Sequence, residues 1–182
     1  MLSRVQRGRL SACLLTLLAF TASHAEPLPA GSIRQMADAH KRSAIALYRE
    51  FLSLPNDANY PDDILRMVEW MEQAFGDRGF RLERIETPGS PLLFAERHVS
   101  DDAQTVLIYL QSDGQPVDPT AWQQEDPYTP VLKAPTASGG FERVPWDLLD
   151  SSYNPDWRVF ARSASDSKGP MAQFLVAMEL LD

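Results

Sequence analysis

Residues 105–110 read Thr-Val-Leu-Ile-Tyr-Leu, an unbroken apolar run that passes straight into Gln111-Ser112-Asp113-Gly114-Gln115-Pro116. A half-exposed strand alternates apolar and polar side chains. An uninterrupted β-branched and aliphatic run bounded by polar and Gly/Pro residues instead predicts a central strand of a sheet covered on both faces, and hence an α/β fold. The carboxyl end of such a strand is where open α/β sheets bind ligands. The pattern recurs downstream, where a strand predicted over residues 157–162 leads into Ser163-Ala164-Ser165-Asp166-Ser167-Lys168-Gly169-Pro170. Either aspartate by itself is a common turn opener. Two of them in matched contexts point to a shared site.

Around these two segments the chain alternates helix and strand. A helix is predicted to start at the capping box Ser32-x-x-Gln35, with Ile33, Met36, Ala37, Ala44, Leu47, Tyr48 and Phe51 on one face and Pro55-Asn56 as its stop. A second opens at Pro61 with Asp62 and Asp63 at the positive end of its dipole. Its apolar side is Ile64, Met67, Val68, Met71, Ala74 and Phe75. Residues 80–86 and 92–97 read as strands across a Pro/Gly-rich turn, and residues 134–156 as a long irregular excursion. From Met171 a further helical face runs through Phe174, Leu175, Ala177, Met178 and Leu181. His40 and His98 are read as packed or surface groups rather than ligands, and Arg143 and Arg162 as solvated groups, with binding of a substrate carboxylate as the alternative.

The 182 residues carry a formal charge of −8, and 44% of them are hydrophobic, the balance of one globular domain. Such an acidic chain is a poor partner for nucleic acid. Residues 1–25 have the order of a secretory leader: Arg4, Arg7 and Arg9, an apolar run over residues 10–20, then Ser23-His24-Ala25 as a small-x-small cleavage site. The run is shorter than the ~20 residues a bilayer requires, so no permanent membrane span is expected. Cleavage near Ala25 would give a soluble product, periplasmic or secreted. It would remove the single cysteine, Cys13, which lies too early in the run for lipidation.

The two aspartate segments resemble the motifs of the dinuclear zinc peptidases and amidohydrolases of the aminoacylase, carnosinase and desuccinylase group, metallopeptidase family "M twenty". The first motif there runs apolar strand, His-x-Asp, then Pro, Trp and an Asp-Pro-aromatic. Here it is Gln111-Ser112-Asp113, Pro116, Trp122 and Asp126-Pro127-Tyr128-Thr129-Pro130. The second, Gly-Arg-Gly-x-x-Asp-x-Lys-Gly, is matched by Ala161-Arg162-Ser163-Ala164-Ser165-Asp166-Ser167-Lys168-Gly169. The resemblance covers about residues 40 to 182. It implies a three-layer zinc-exopeptidase-like catalytic domain with a twisted mixed sheet, present only in part: a leader over 1–25 and the N-terminal portion of the domain over 26–182.

By that resemblance Asp166 bridges two zinc ions and is followed by a cis peptide, and Asp113 is the catalytic-site residue that orients a ligand imidazole. Gln111 occupies the position of the metal-binding histidine. A neutral amide oxygen is a far weaker zinc donor than imidazole, so one metal site is expected to be weak or altered. The family's general base and remaining ligands lie downstream of the second motif, so the 182-residue chain alone is expected to be inactive. The implied reaction is hydrolysis of an amide bond in a small peptide or N-acyl amino acid. The rival reading is a non-catalytic exported binding protein that keeps the fold without a complete metal site.

Overall fold

The computed structural model describes residues 27–181, so the expected leader and Cys13 lie outside the described residues. Helix α1 covers Ala30–Leu52 and α2 covers Pro61–Gly76. Strands β1 (Arg81–Ile85) and β2 (Leu92–Glu96) form an antiparallel hairpin in which Arg81 faces Glu96 and Ile85 faces Leu92. Strands β3 (Val131–Pro135), β4 (Phe141–Val144) and β5 (Arg158–Phe160) make a second antiparallel sheet in the order β4-β3-β5. A one-turn helix α3 (Leu148–Ser151) precedes β5, and α4 (Gly169–Leu180) ends the described chain.

The α2 pattern is met in full. Ile64, Met67, Val68, Met71, Ala74 and Phe75 are all buried, Pro61 sits at the first turn, and Asp62 and Asp63 lie beside the helix N-terminus. Together with Phe51, Met171 and Leu175 they form the core, against which the inner side chains of the hairpin, Leu82, Leu93 and Ala95, are packed. Arg78 fastens α2 to α4 with three bonds: Nε to the Leu175 carbonyl at 2.9 Å, Nη1 to the Ala74 carbonyl at 2.8 Å, and Nη2 to Glu179 at 2.8 Å. Arg84 of β1 grips Glu72 of α2 through Nε at 2.9 Å and Nη2 at 2.6 Å, the fork geometry that suits a carboxylate.

Helix α1 differs from expectation at both the cap and the face. It begins at Ala30, two residues before the expected cap, so Ser32 already lies in the first turn and the capping box is not used. Only Phe51 and Leu52 of its apolar positions are buried; Ile33 remains 49% exposed, because the core meets only the last turns of the helix. The expected irregular excursion contains real structure. Thr136 N–H donates to the Gly140 carbonyl at 2.9 Å, and Gly139 takes a φ of 85° to close the β3-β4 hairpin. The Gly-Gly pair was the signal for that turn. Of the face expected after Met171, Leu175 is buried, while Leu181 is 63% exposed.

The largest correction concerns residues 105–110. They run without any partner strand among the described residues, and Val106, Leu107, Ile108 and Tyr109 are exposed by 76%, 87%, 50% and 81%. Only Leu110 packs against the core. A strand apolar on both faces needs a neighbour on each edge and a layer over each face, and the described residues supply neither. The mixed α/β class stands, with sheets that are small and antiparallel.

Candidate functional site

Extended chain from residues 105–110 delivers Gln111, Ser112 and Asp113 to a loop that meets the turn after β5. The contact is made through the end of α1. Leu52 closes the helix, and Asn56, four residues on, is completely buried. Its Nδ2 donates to the Ser112 carbonyl at 2.7 Å and to Ser163 Oγ at 3.1 Å, and its backbone carbonyl accepts from Gly114 N–H at 2.6 Å. Asp57 and Gly114 form a parallel bridge beside it. A direct tie runs alongside: Arg162 Nη2 donates to the Gln115 carbonyl at 2.7 Å. The two aspartate-bearing segments are thus neighbours in space, and Gln111, Asp113 and Asp166 are all exposed on them. Their expected origin at the ends of adjacent sheet strands is not met, since only β5 belongs to a sheet.

The second segment is tightly constrained. Ser163 has a φ of 59°, the left-handed region where a side chain is unusual. The Asp166-Ser167 peptide is cis, as expected from the resemblance. Gly169 opens α4 with its Cα against the preceding turn, so that an added methyl would lie 2.5 Å from the Ala164 carbonyl oxygen. That same carbonyl accepts from Tyr48 Oη of α1 at 2.6 Å, and burial pushes the Tyr48 phenol up to about 12.

Lys168 is the residue whose setting the sequence concealed most. It is fully buried, Nζ donates to the Leu54 carbonyl, and the ammonium lies 5.3 Å from the centre of the Phe51 ring and 5.6 Å from that of Tyr128. Two aromatic faces and one carbonyl replace less solvation than water provides. Desolvation accordingly pulls its pKa down to about 7. Tyr128 comes from the Asp-Pro-aromatic motif, whose turn is held by Asp126 Oδ1 accepting from Tyr128 N–H at 2.6 Å. Desolvation also raises the Tyr128 phenol. Arg162, read from sequence as a solvated group, is instead half-buried, and its backbone N–H donates to the Pro127 carbonyl at 2.7 Å. His98 does lie at the surface, 3.2 Å from Asp101, and His40 bonds the Met36 carbonyl within its own helix.

No protein-family model matches the chain, and no curated protein matches it by sequence. Solved structures do. The di-peptidase Dug1p from Saccharomyces cerevisiae aligns with a TM-score of 0.62 at 14% identity, over 82% of this chain and 30% of that one. Human carnosine dipeptidase 1 aligns with a TM-score of 0.61 at 19% identity, again over 82% of this chain and 30% of its own. The fold is that of part of these two dipeptidases. Identity this low carries the fold alone, and the chain spans less than a third of the length of either dipeptidase.

The two zinc ions that the resemblance implies need a set of strong donors gathered at one place. Among the described residues no three His, Cys, Asp or Glu side chains gather where an ion would be held. Asp166 is a carboxylate suited to zinc, and Asp113 another, but Gln111 offers only an amide oxygen. These residues do not by themselves fit a closed zinc centre. Asn56 and Lys168, which organise the segments carrying them, were missed because an Asn after a Pro and a Lys before a Gly look locally like punctuation.

Proposed function

We propose that this chain is a portion of an exported metal-dependent hydrolase that cleaves amide bonds in small peptides or N-acyl amino acids. The observation that carries the reading is the meeting of the Gln111-Ser112-Asp113 and Ser163-to-Asp166 segments around one buried side chain, in a fold that aligns with two dipeptidases. In this reading Asp166 supplies one carboxylate to a divalent-metal site, zinc by resemblance, and the donors that complete it come from outside the described residues. Asp113 lies next to that site as an orienting or auxiliary carboxylate. Residues 1–25 direct export, and the mature product begins at Glu26.

The test uses the gene product as its own cell makes it, purified and supplied with dipeptides and N-acetyl amino acids. We expect chelator-sensitive release of free amino acid, abolished by Asp166→Asn, and an N-terminus at Glu26. A second reading, a binding protein that keeps the fold without chemistry, is favoured by Gln111 at the histidine position. Tight retention of such a ligand with no turnover at any zinc concentration would decide for it.

A further inference from the structure

We infer that Asn56 is a positioning residue that couples the two aspartate-bearing segments, so that Asp113 and Asp166 hold their relative placement only while its side chain is present. The inference rests on the proposed reading only for its functional consequence; the coupling itself stands on geometry.

Asn56 is 0% exposed and all of its side-chain bonds go to those segments. An amide offers two donors and an acceptor with two lone pairs. One donor goes to the Ser112 carbonyl, one residue from Asp113, and Ser163 Oγ lies 3.1 Å from Nδ2 and 3.2 Å from Oδ1. The backbone carbonyl of the same residue accepts from Gly114 N–H, on the other side of Asp113. Asp113 is therefore bracketed by two bonds to a single residue. The fit leaves no slack: a methyl added at Gly114 would lie 2.8 Å from Asn56 Oδ1. On the second segment Ser163 is 7% exposed and holds its φ of 59°, and the hydroxyl that faces Asn56 is what a glycine in this conformation would lack. Ser163 in turn accepts from Lys168 N–H at 3.0 Å through its carbonyl, which spans the Asp166 turn. A buried amide with unmet bonds is costly, so the two segments and Asn56 order together or loosen together.

Two amides report the coupling without touching the Asn56 side chain: Gly114 N–H, bonded to a backbone carbonyl that survives any substitution at position 56, and Lys168 N–H, bonded to the Ser163 carbonyl. Hydrogen exchange is measured on the full chain without added metal. In Asn56→Ala, protection at Gly114 and Lys168 should fall together by at least about tenfold, beyond any change at the core amides of Met67 and Leu175. Ser163→Gly tolerates the left-handed backbone and removes the side chain that carries the hydroxyl. It should lower protection at the same two amides, and it serves if Asn56→Ala does not fold. Unchanged protection at either amide in the folded variants, or a fall equal to that of the core, overturns the inference. The exchange result decides the coupling whatever metal the chain holds, and the proposed hydrolase reading stands or falls separately on the turnover assay.

Discussion

A buried ammonium makes the stability of this protein depend on pH in a direction that surface charges would not produce. In the folded chain Lys168 releases its proton near about 7, against an ordinary value of 10.5. The unfolded chain keeps that proton up to its ordinary value. Between those two values the unfolded state binds more protons, so the free energy of unfolding must rise with pH. Below the folded value both states are protonated and the slope from this residue vanishes. The full slope is about 1.4 kcal/mol per pH unit; with Lys168 already half deprotonated at the start, stability should gain about 2 kcal/mol from about pH 7 to about pH 9. Denaturant unfolding of the wild-type chain and of Lys168→Met, followed by tryptophan fluorescence at several pH values, measures it. Met keeps the unbranched shape and cannot titrate, so the difference in slope belongs to Lys168 whatever other groups do. Parallel curves for the two proteins would mean that Phe51, Tyr128 and the Leu54 carbonyl solvate the ammonium as well as water does, and would refute the reasoning.

Other outcomes follow from the same packing. Leu175→Ala empties a fully buried position between α4 and α2 and should cost ~2–5 kcal/mol in denaturant unfolding. A loss near zero would show that the core does not close there. Gly114→Ala pushes a methyl onto Asn56 and should destabilise the chain by ~1–3 kcal/mol, with the larger part absent when Asn56 is already Ala. Gln111→His places an imidazole at the exposed end of the extended segment. It should raise the zinc retained through gel filtration without conferring dipeptide hydrolysis on the 182-residue chain, and turnover by that variant would show that a base is present among its own residues.

Helix α2 was readable from sequence because its structure is local: Pro61, two acids in the first turn and a 3.6-residue apolar period need no partner to be recognised. The β1-β2 hairpin was readable for the same reason, its turn residues lying between two short apolar-rich runs. The two aspartate motifs were visible as motifs. That their segments meet at Asn56 was not, since the bonds join residues 56 and 107 positions apart. Residues 105–110 show the converse. Their apolar run encodes a preference for being covered on both faces, but burial is a property of the neighbours, and among the described residues those neighbours are missing. The burial of Lys168 is likewise tertiary: a lysine before a glycine sits at many exposed helix starts, and only the convergence of Phe51 and Leu54 at the end of α1 with Tyr128, from a separate part of the chain, takes this one out of water.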